Sequence, residues 1–192
     1  MIEAFSNIAS AFGLSSSAGL NAYLPLLIVA LTARYSNLIT LNEPWDVMTN
    51  GWVIGVLAVL LLIEMTVDKI PAIDTLNDAV QTVGRPLAGA IIFASSSGVV
   101  GNVHPVLAFV AGLLLAGGVH AVKTAARPLV TATTVGTGNW FVSLMEDFVA
   151  LVTSILSILL PIVMFVTILA LIILFGWRWT KRQFKLRQAL SS

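Results

Sequence analysis

The residues with the most chemical potential are the ionisable ones set inside apolar runs. Glu64 lies one turn before Asp68 and Lys69, at the end of the apolar run Trp52 to Asp68. Glu146 and Asp147 lie about two turns into the run Trp140 to Ser157. A charge at membrane depth is costly and is either paired or functional. Burial favours the neutral carboxylic acid, so Glu64 and Glu146 are the candidates for proton coupling. The plainer expectation for Asp68, Lys69, Glu146 and Asp147 is ion pairing near the headgroups, with Lys123, Arg127 or Arg85 as partners. A second constellation is two serine triplets, Ser15-Ser16-Ser17 and Ser95-Ser96-Ser97, followed by Asn21 and Tyr23 and by Asn102 and His104. Hydroxyls and amides are small groups that both donate and accept. Helices starting after Asn21 and Asn102, with Pro25 and Pro105 in the first turn, would aim N–H groups and a partial positive charge at a small anion or zwitterion. Carbonyls at the breaks would suit a dehydrated cation. The competing expectation, of equal weight, is that serine and glycine let helices pack closely.

These residues stand in a chain of 192 residues that is 58% hydrophobic and 10% charged, with mean hydropathy +0.97. Soluble domains carry about 25% charged residues. So few charges cannot cover a globule, which argues against a cytoplasmic enzyme, disorder and nucleic-acid binding alike. Cysteine is absent, which excludes disulfides, thiolate metal sites and cysteine nucleophiles. His104 and His120, far apart in sequence, are a weak metal signal and read as structural hydrogen-bonding groups. The run Thr131 to Asn139 lacks the glycine spacing and lysine of a phosphate-binding loop and reads as a loop with possible anion-binding backbone. No nucleophile motif occurs. The expectation is a non-enzyme without metal or cofactor.

Five apolar blocks organise the chain as an all-α polytopic membrane protein. A crossing needs roughly 20 apolar residues. Block one, Ile2 to Arg34, and block three, Pro86 to Val122, are too long for one span, and each is broken by its serine triplet. Blocks two (Trp52 to Asp68), four (Trp140 to Ser157) and five (Ile158 to Trp177) read as single spans. The stretch Ile70 to Arg85 has apolar residues at helical spacing and reads as a short interfacial helix; Lys123 to Gly138 reads as a polar connection. Arg178, Lys181, Arg182, Lys185 and Arg187 make a basic tail. No basic region precedes the first block, so no cleavable signal peptide is expected.

The serine triplets repeat at an offset of 80, as do Pro25 and Pro105, and Asp68 and Asp147 are 79 apart. The spacing predicts two copies of a Ser/Gly-broken helical hairpin plus a span, residues 1–80 and 81–157, and an extra helix, 158–177, in one membrane domain over 1–177 with a tail over 178–192. Lysine and arginine set orientation. With the tail cytoplasmic and block three turning back near Ser95–His104, nine of the ten cations fall inside and Arg34 alone falls outside. The repeats are then inverted, with the N-terminus outside and the serine-rich tips approaching near the midplane.

Three segments carry a family resemblance: SSSAGLNAYLPLL (Ser15–Leu27), DKIPAIDTLNDAVQTVGRPLAGA (Asp68–Ala90) and HAVKTAARPLVTATTVGTGNWFVSLMED (His120–Asp147). Together they resemble a family of small bacterial membrane proteins catalogued as domain of unknown function number forty-one twenty-six. The resemblance covers the chain to about Ala150 and supplies no activity.

Inverted repeats with discontinuous helices recur in secondary transporters, with the substrate at the repeat interface. The expected function is therefore a small inner-membrane transporter or channel for a polar or ionic solute. Its site would be Ser15, Ser16, Ser17, Asn21, Tyr23, Ser95, Ser96, Ser97, Asn102 and His104. Coupling or ion-pair residues would be Glu64, Asp68, Lys69, Lys123, Arg127, Glu146 and Asp147. The expected partners are the bilayer, the solute and a second copy in a homo-oligomer, with no nucleic acid. The alternative is a non-transporting scaffold or assembly subunit.

Overall fold

A computed structural model describes residues 2–67, 71–96, 103–134 and 138–191; the side chains of 2, 71–79, 179–180 and 182–191 lie outside the description. Ser97, Asn102, Asp68 and Lys69 lie outside the described residues. The described chain is helical: α1 (Ile2–Ala18), α2 (Tyr23–Tyr35), a 3-10 turn (Trp45–Thr49), α3 (Gly51–Val67), α4 (Pro71–Ser95), α5 (Pro105–Thr134), α6 (Gly138–Leu159) and α7 (Pro161–Ser191). Among the described residues three helices are long and apolar enough to cross a membrane: Pro105–Thr134, Gly138–Leu159 and Pro161–Arg178.

Helix faces run opposite to those of a soluble protein. In α5 the buried positions are Ala108, Gly112, Ala116, His120, Lys123 and Arg127; in α6 they are Ser143, Asp147, Ala150, Ser154 and Ser157. Both series advance by three or four residues and so form one stripe per helix. Small and polar side chains face inward, while Leu107, Val110, Leu114, Phe148, Leu151 and Ile155 face outward. Water would drive the large apolar residues in; a bilayer does not, so close packing and polar pairing decide the interior.

Side-chain contacts give each helix its direction. Asn21 meets Asp147, Ser17 meets Ser154 and Ser10 meets Ser157, so α1 and α6 are antiparallel. Ser15 meets Gly89, and Gly19 lies against Ala116 and Val119, so α4 runs against α1 and α5 runs with it. The starts of α1 and α5 and the ends of α2 and α4 are therefore at one end of the bundle, joined there by an antiparallel bridge between Leu41 and Ser96. Arg34 is at this end, donating to the Thr49 carbonyl at 2.7 Å. Arg85, Lys123 and Arg127 are at the other.

The long third block turns back, with α4 ending at Ser95 and α5 starting at Pro105. Two expectations are corrected. The stretch Ile70 to Arg85 is not a separate interfacial helix: α4 runs unbroken through Pro86, because it stays packed along α5 beyond that residue. The run Thr131 to Thr134 is not loop but the last turn of α5, its threonine hydroxyls donating back to carbonyls four residues earlier. Helices α4 and α5 touch through glycine. A Cβ on Gly112 would overlap the Gly89 carbonyl oxygen, whereas one on Gly118 would meet nothing within 4 Å. Gly112→Ala is expected to cost about 1–3 kcal/mol through overpacking, and Gly118→Ala to be neutral or slightly stabilising. Thermal unfolding of the two purified variants checks this; equal midpoints would refute the close approach.

Candidate functional site

The first hairpin breaks after its serines. α1 ends at Ala18 and α2 starts at Tyr23, so the chain reverses over Gly19–Ala22, with Ala22 and Asn21 fully buried. A reversal inside protein must satisfy its own backbone. Gly19 and Leu20 N–H donate to the Ser16 and Ser17 carbonyls. The Asn21 amide oxygen accepts from Leu24 N–H at 2.9 Å, as a helix-capping side chain does. Ala22 and Tyr23 N–H donate to the two Glu64 carboxylate oxygens at 3.3 and 3.4 Å. The Leu20 carbonyl accepts from Lys123 Nζ at 3.1 Å.

This placement corrects one expectation. The N-terminus of α2 was expected to offer its N–H groups to a solute. The protein's own Glu64 takes them, since a carboxylate is the anion that a helix start favours.

The turn is the hub of a buried charged layer drawn from four helices. Arg85 of α4 pairs with Glu64 of α3 through Nη2 (3.1 Å) and Nε (3.3 Å), with side-chain exposures of 0% and 1%. Arg85 Nη1 also meets His120 Nδ1 of α5 at 3.1 Å, and His120 Nε2 meets Thr82 Oγ1 at 3.3 Å. The Tyr23 and Gln81 side chains are hydrogen-bonded beside them. On the other flank Glu146 of α6 accepts from Lys123 at 2.9 Å and Arg127 at 3.1 Å, with its side chain 14% exposed. Asp147 accepts from the Asn21 amide at 3.0 Å. Three carboxylates (Glu64, Glu146, Asp147) thus face three cations (Arg85, Lys123, Arg127). Among the described residues no cluster fit to hold a metal occurs.

The ion-pair residues of the sequence analysis, where described, therefore come together. The serines do not join them as a binding surface. Ser15, Ser16 and Ser17 are buried within α1, where their hydroxyls donate to carbonyls of Gly89, Phe12 and Ala150. Ser95, the last residue of α4, and Ser96 just after it bond the Ile92 carbonyl of that helix. His104 is exposed and accepts from Val106 N–H at 3.3 Å, capping α5. Among the described residues the two serine-rich segments also do not meet. Ser17 lies against Ala150 and Ser154, whereas Ser96 is at the far end beside Leu41. The physical reason is register: α1 and α4 are antiparallel, which sets Ser15 opposite Gly89 and carries Ser96 about two turns away, to the level of Asn7 and Ser10.

Sequence reasoning named Arg85 as an ion-pair partner but did not join it to Glu64, and it missed His120 as a member of the layer. A signal was present, because Ala108, Gly112, Ala116, His120, Lys123 and Arg127 continue one inward stripe.

At the opposite end a cavity of about 380 Å³ is lined by Glu3, Asn7, Ser10, Asn37, Thr40 and Ser96, with Leu14 and Val29 among its walls. Leu14 and Val29 pack with Ala18, Ala22 and Leu26 in one apolar cluster. Polar cavity, apolar plug and charged layer follow one another along the α1–α2 seam.

No curated protein and no solved structure matches this chain. The family profile described as Domain of unknown function (DUF4126) matches residues 8–181. A match over that span, on a helical chain built from membrane-length apolar helices, means that the chain belongs to the DUF4126 family.

Proposed function

We propose that the protein is a small inner-membrane transporter or channel for a polar or ionic solute, with the charged layer as its closed gate. The observation that carries this reading is the sequence of environments along the α1–α2 seam: a polar cavity at one end, an apolar plug, then buried ion pairs. A path open at one end and shut at the other is what alternating access requires. The 13 residues of α2 reach only about 20 Å at 1.5 Å per residue, against a hydrocarbon core of about 30 Å. On this reading the first hairpin is re-entrant, and its turn is stabilised at membrane depth by Glu64 and Lys123. Asp147 follows exposed Trp140 by seven residues, placing the layer about 10 Å inside a tryptophan belt. The cation-bearing end is cytoplasmic, which leaves the cavity and the N-terminus outside. Helices α1 to α3 alternate in direction, and α4 to α6 alternate starting from the opposite end, as an inverted repeat does. A homodimer would give so few helices a sealed path.

Two further atoms suit a solute route: Gln81 Oε1, one turn before Arg85, and Ser143 Oγ, one turn before Asp147, are buried without a hydrogen-bond partner. The scaffold reading keeps one observation in its favour, the serines spent on helix packing.

Flux in proteoliposomes separates the two. A panel of small ions and neutral polar solutes is presented to wild type and to the charge-balanced double variant Lys123→Gln/Glu146→Gln. Flux of at least one solute, changed in the variant, is expected. No flux from wild type across the panel would leave the scaffold reading.

A further inference from the structure

The bonding of His120 fixes where its hydrogen is. A guanidinium has N–H donors and no acceptor, and it stays charged. Arg85 Nη1 at 3.1 Å from Nδ1 therefore requires Nδ1 to accept. The ring is then neutral with its hydrogen on Nε2, which donates to Thr82 Oγ1. We propose that His120 is the proton-binding residue of the layer. Uptake of one proton from solvent at Nδ1 turns that acceptor into a donor, gives an imidazolium and breaks the bond to Arg85. Two cations then face each other and the Arg85–His120 contact between α4 and α5 is lost, while Nε2–H keeps its bond to Thr82 Oγ1.

Each of the paired carboxylates is already engaged by cations or N–H donors. Glu64 is held by Arg85 and two backbone N–H groups, and Glu146 by two cations. A proton on either would strand the cations that hold it. Among the described side chains, the charged and titratable groups around His120 are Arg85 on α4, Glu64 on α3 behind it, Tyr23 at the start of α2, Lys123 and Arg127 further along α5, and Glu146 and Asp147 on α6. The facing end of α1, Ser15 to Gly19, is uncharged. Among the described residues the layer holds three charges of each sign with His120 neutral, and protonation of His120 adds one positive charge. Imidazole is also the side chain whose ordinary titration falls between about pH 5 and pH 8. The consequence for gating rests on the reading of the layer as a gate; the protonation itself does not.

The test uses the full chain in lipid nanodiscs with ring-labelled histidine and His104→Gln, which leaves a single histidine signal. Ring nitrogen shifts are followed from about pH 8 to about pH 5. In parallel, a cysteine at the buried position Ser143 is labelled with a thiol reagent. Its rate is divided by that of Leu129→Cys, an exposed position, to remove the pH dependence of the thiol. The Nε2–H ring is expected at the alkaline end and imidazolium at the acid end, with the relative labelling of Ser143→Cys rising several-fold. That rise is expected to vanish in His120→Asn, whose amide oxygen replaces the Nδ1 acceptor without taking up a proton. An Nδ1–H ring, a ring neutral throughout, flat labelling, or an unchanged rise in His120→Asn would each overturn the proposal. Protonation with opening, but no flux, would instead refute transport and leave this assignment standing.

Discussion

Arg85→Met is expected to remove about 3–5 kcal/mol of stability, because it leaves the Glu64 carboxylate buried without its cation. Arg85 and Glu64 are among the largest fully buried side chains of the described residues, so neither can turn to solvent. The double variant Arg85→Met/Glu64→Met is expected to recover much of that loss, since it buries no charge. It should not recover all of it: Ala22 and Tyr23 N–H lose the acceptor that Glu64 provides, and an unmet buried donor costs about 1–3 kcal/mol. Thermal unfolding of detergent-solubilised wild type, both single variants and the double variant closes the cycle. Additive losses would show that the pair is not coupled. The Glu146 cluster is a milder case, as its carboxylate is partly exposed and its long cationic partners can extend toward the interface.

Leu14→Ala/Val29→Ala is expected to turn a closed protein into a leaky one. Both side chains wall the polar cavity and belong to the apolar cluster beneath it. Removing their outer atoms deepens the cavity toward the layer. The packing cost of Leu→Ala in a core is about 2–5 kcal/mol, so the variant must first be shown folded by its size-exclusion profile. Proteoliposomes carrying it should then pass protons or small ions faster than wild type, most plainly when combined with Lys123→Gln/Glu146→Gln. A folded variant as tight as wild type would remove the α1–α2 seam from any path and strengthen the scaffold reading.

Several features were legible in one dimension because a bilayer reads one-dimensional sums. Block length marked the turn between Ser95 and His104, since Pro86 to Val122 exceeds one crossing. The placement of Arg85, Lys123 and Arg127 at one end and Arg34 at the other follows from counting cations against apolar runs. Glu64, Glu146 and Asp147 stood out because carboxylates are rare in such runs. Composition alone determined that the interior had to be assembled for a membrane.

Pairing was decided only by tertiary structure. Arg85 and His120 are 35 residues apart, and Asn21 and Asp147 are 126 apart; nothing local to either sequence position names the other. The contact depends on how far each helix is rotated and slid against its neighbour. That register is set by where backbones come closest, at Gly89 against Gly112 and Gly19 against Ala116. The same register assigned Ser15 and Ser17 to packing: once α1 lies that close to α4 and α6, their hydroxyls are within reach of the Gly89 and Ala150 carbonyls. The α2 start followed the same logic. Its N–H groups were predictable from Asn21 and Pro25, but that Glu64 would occupy them required α3 to return to the depth of the turn.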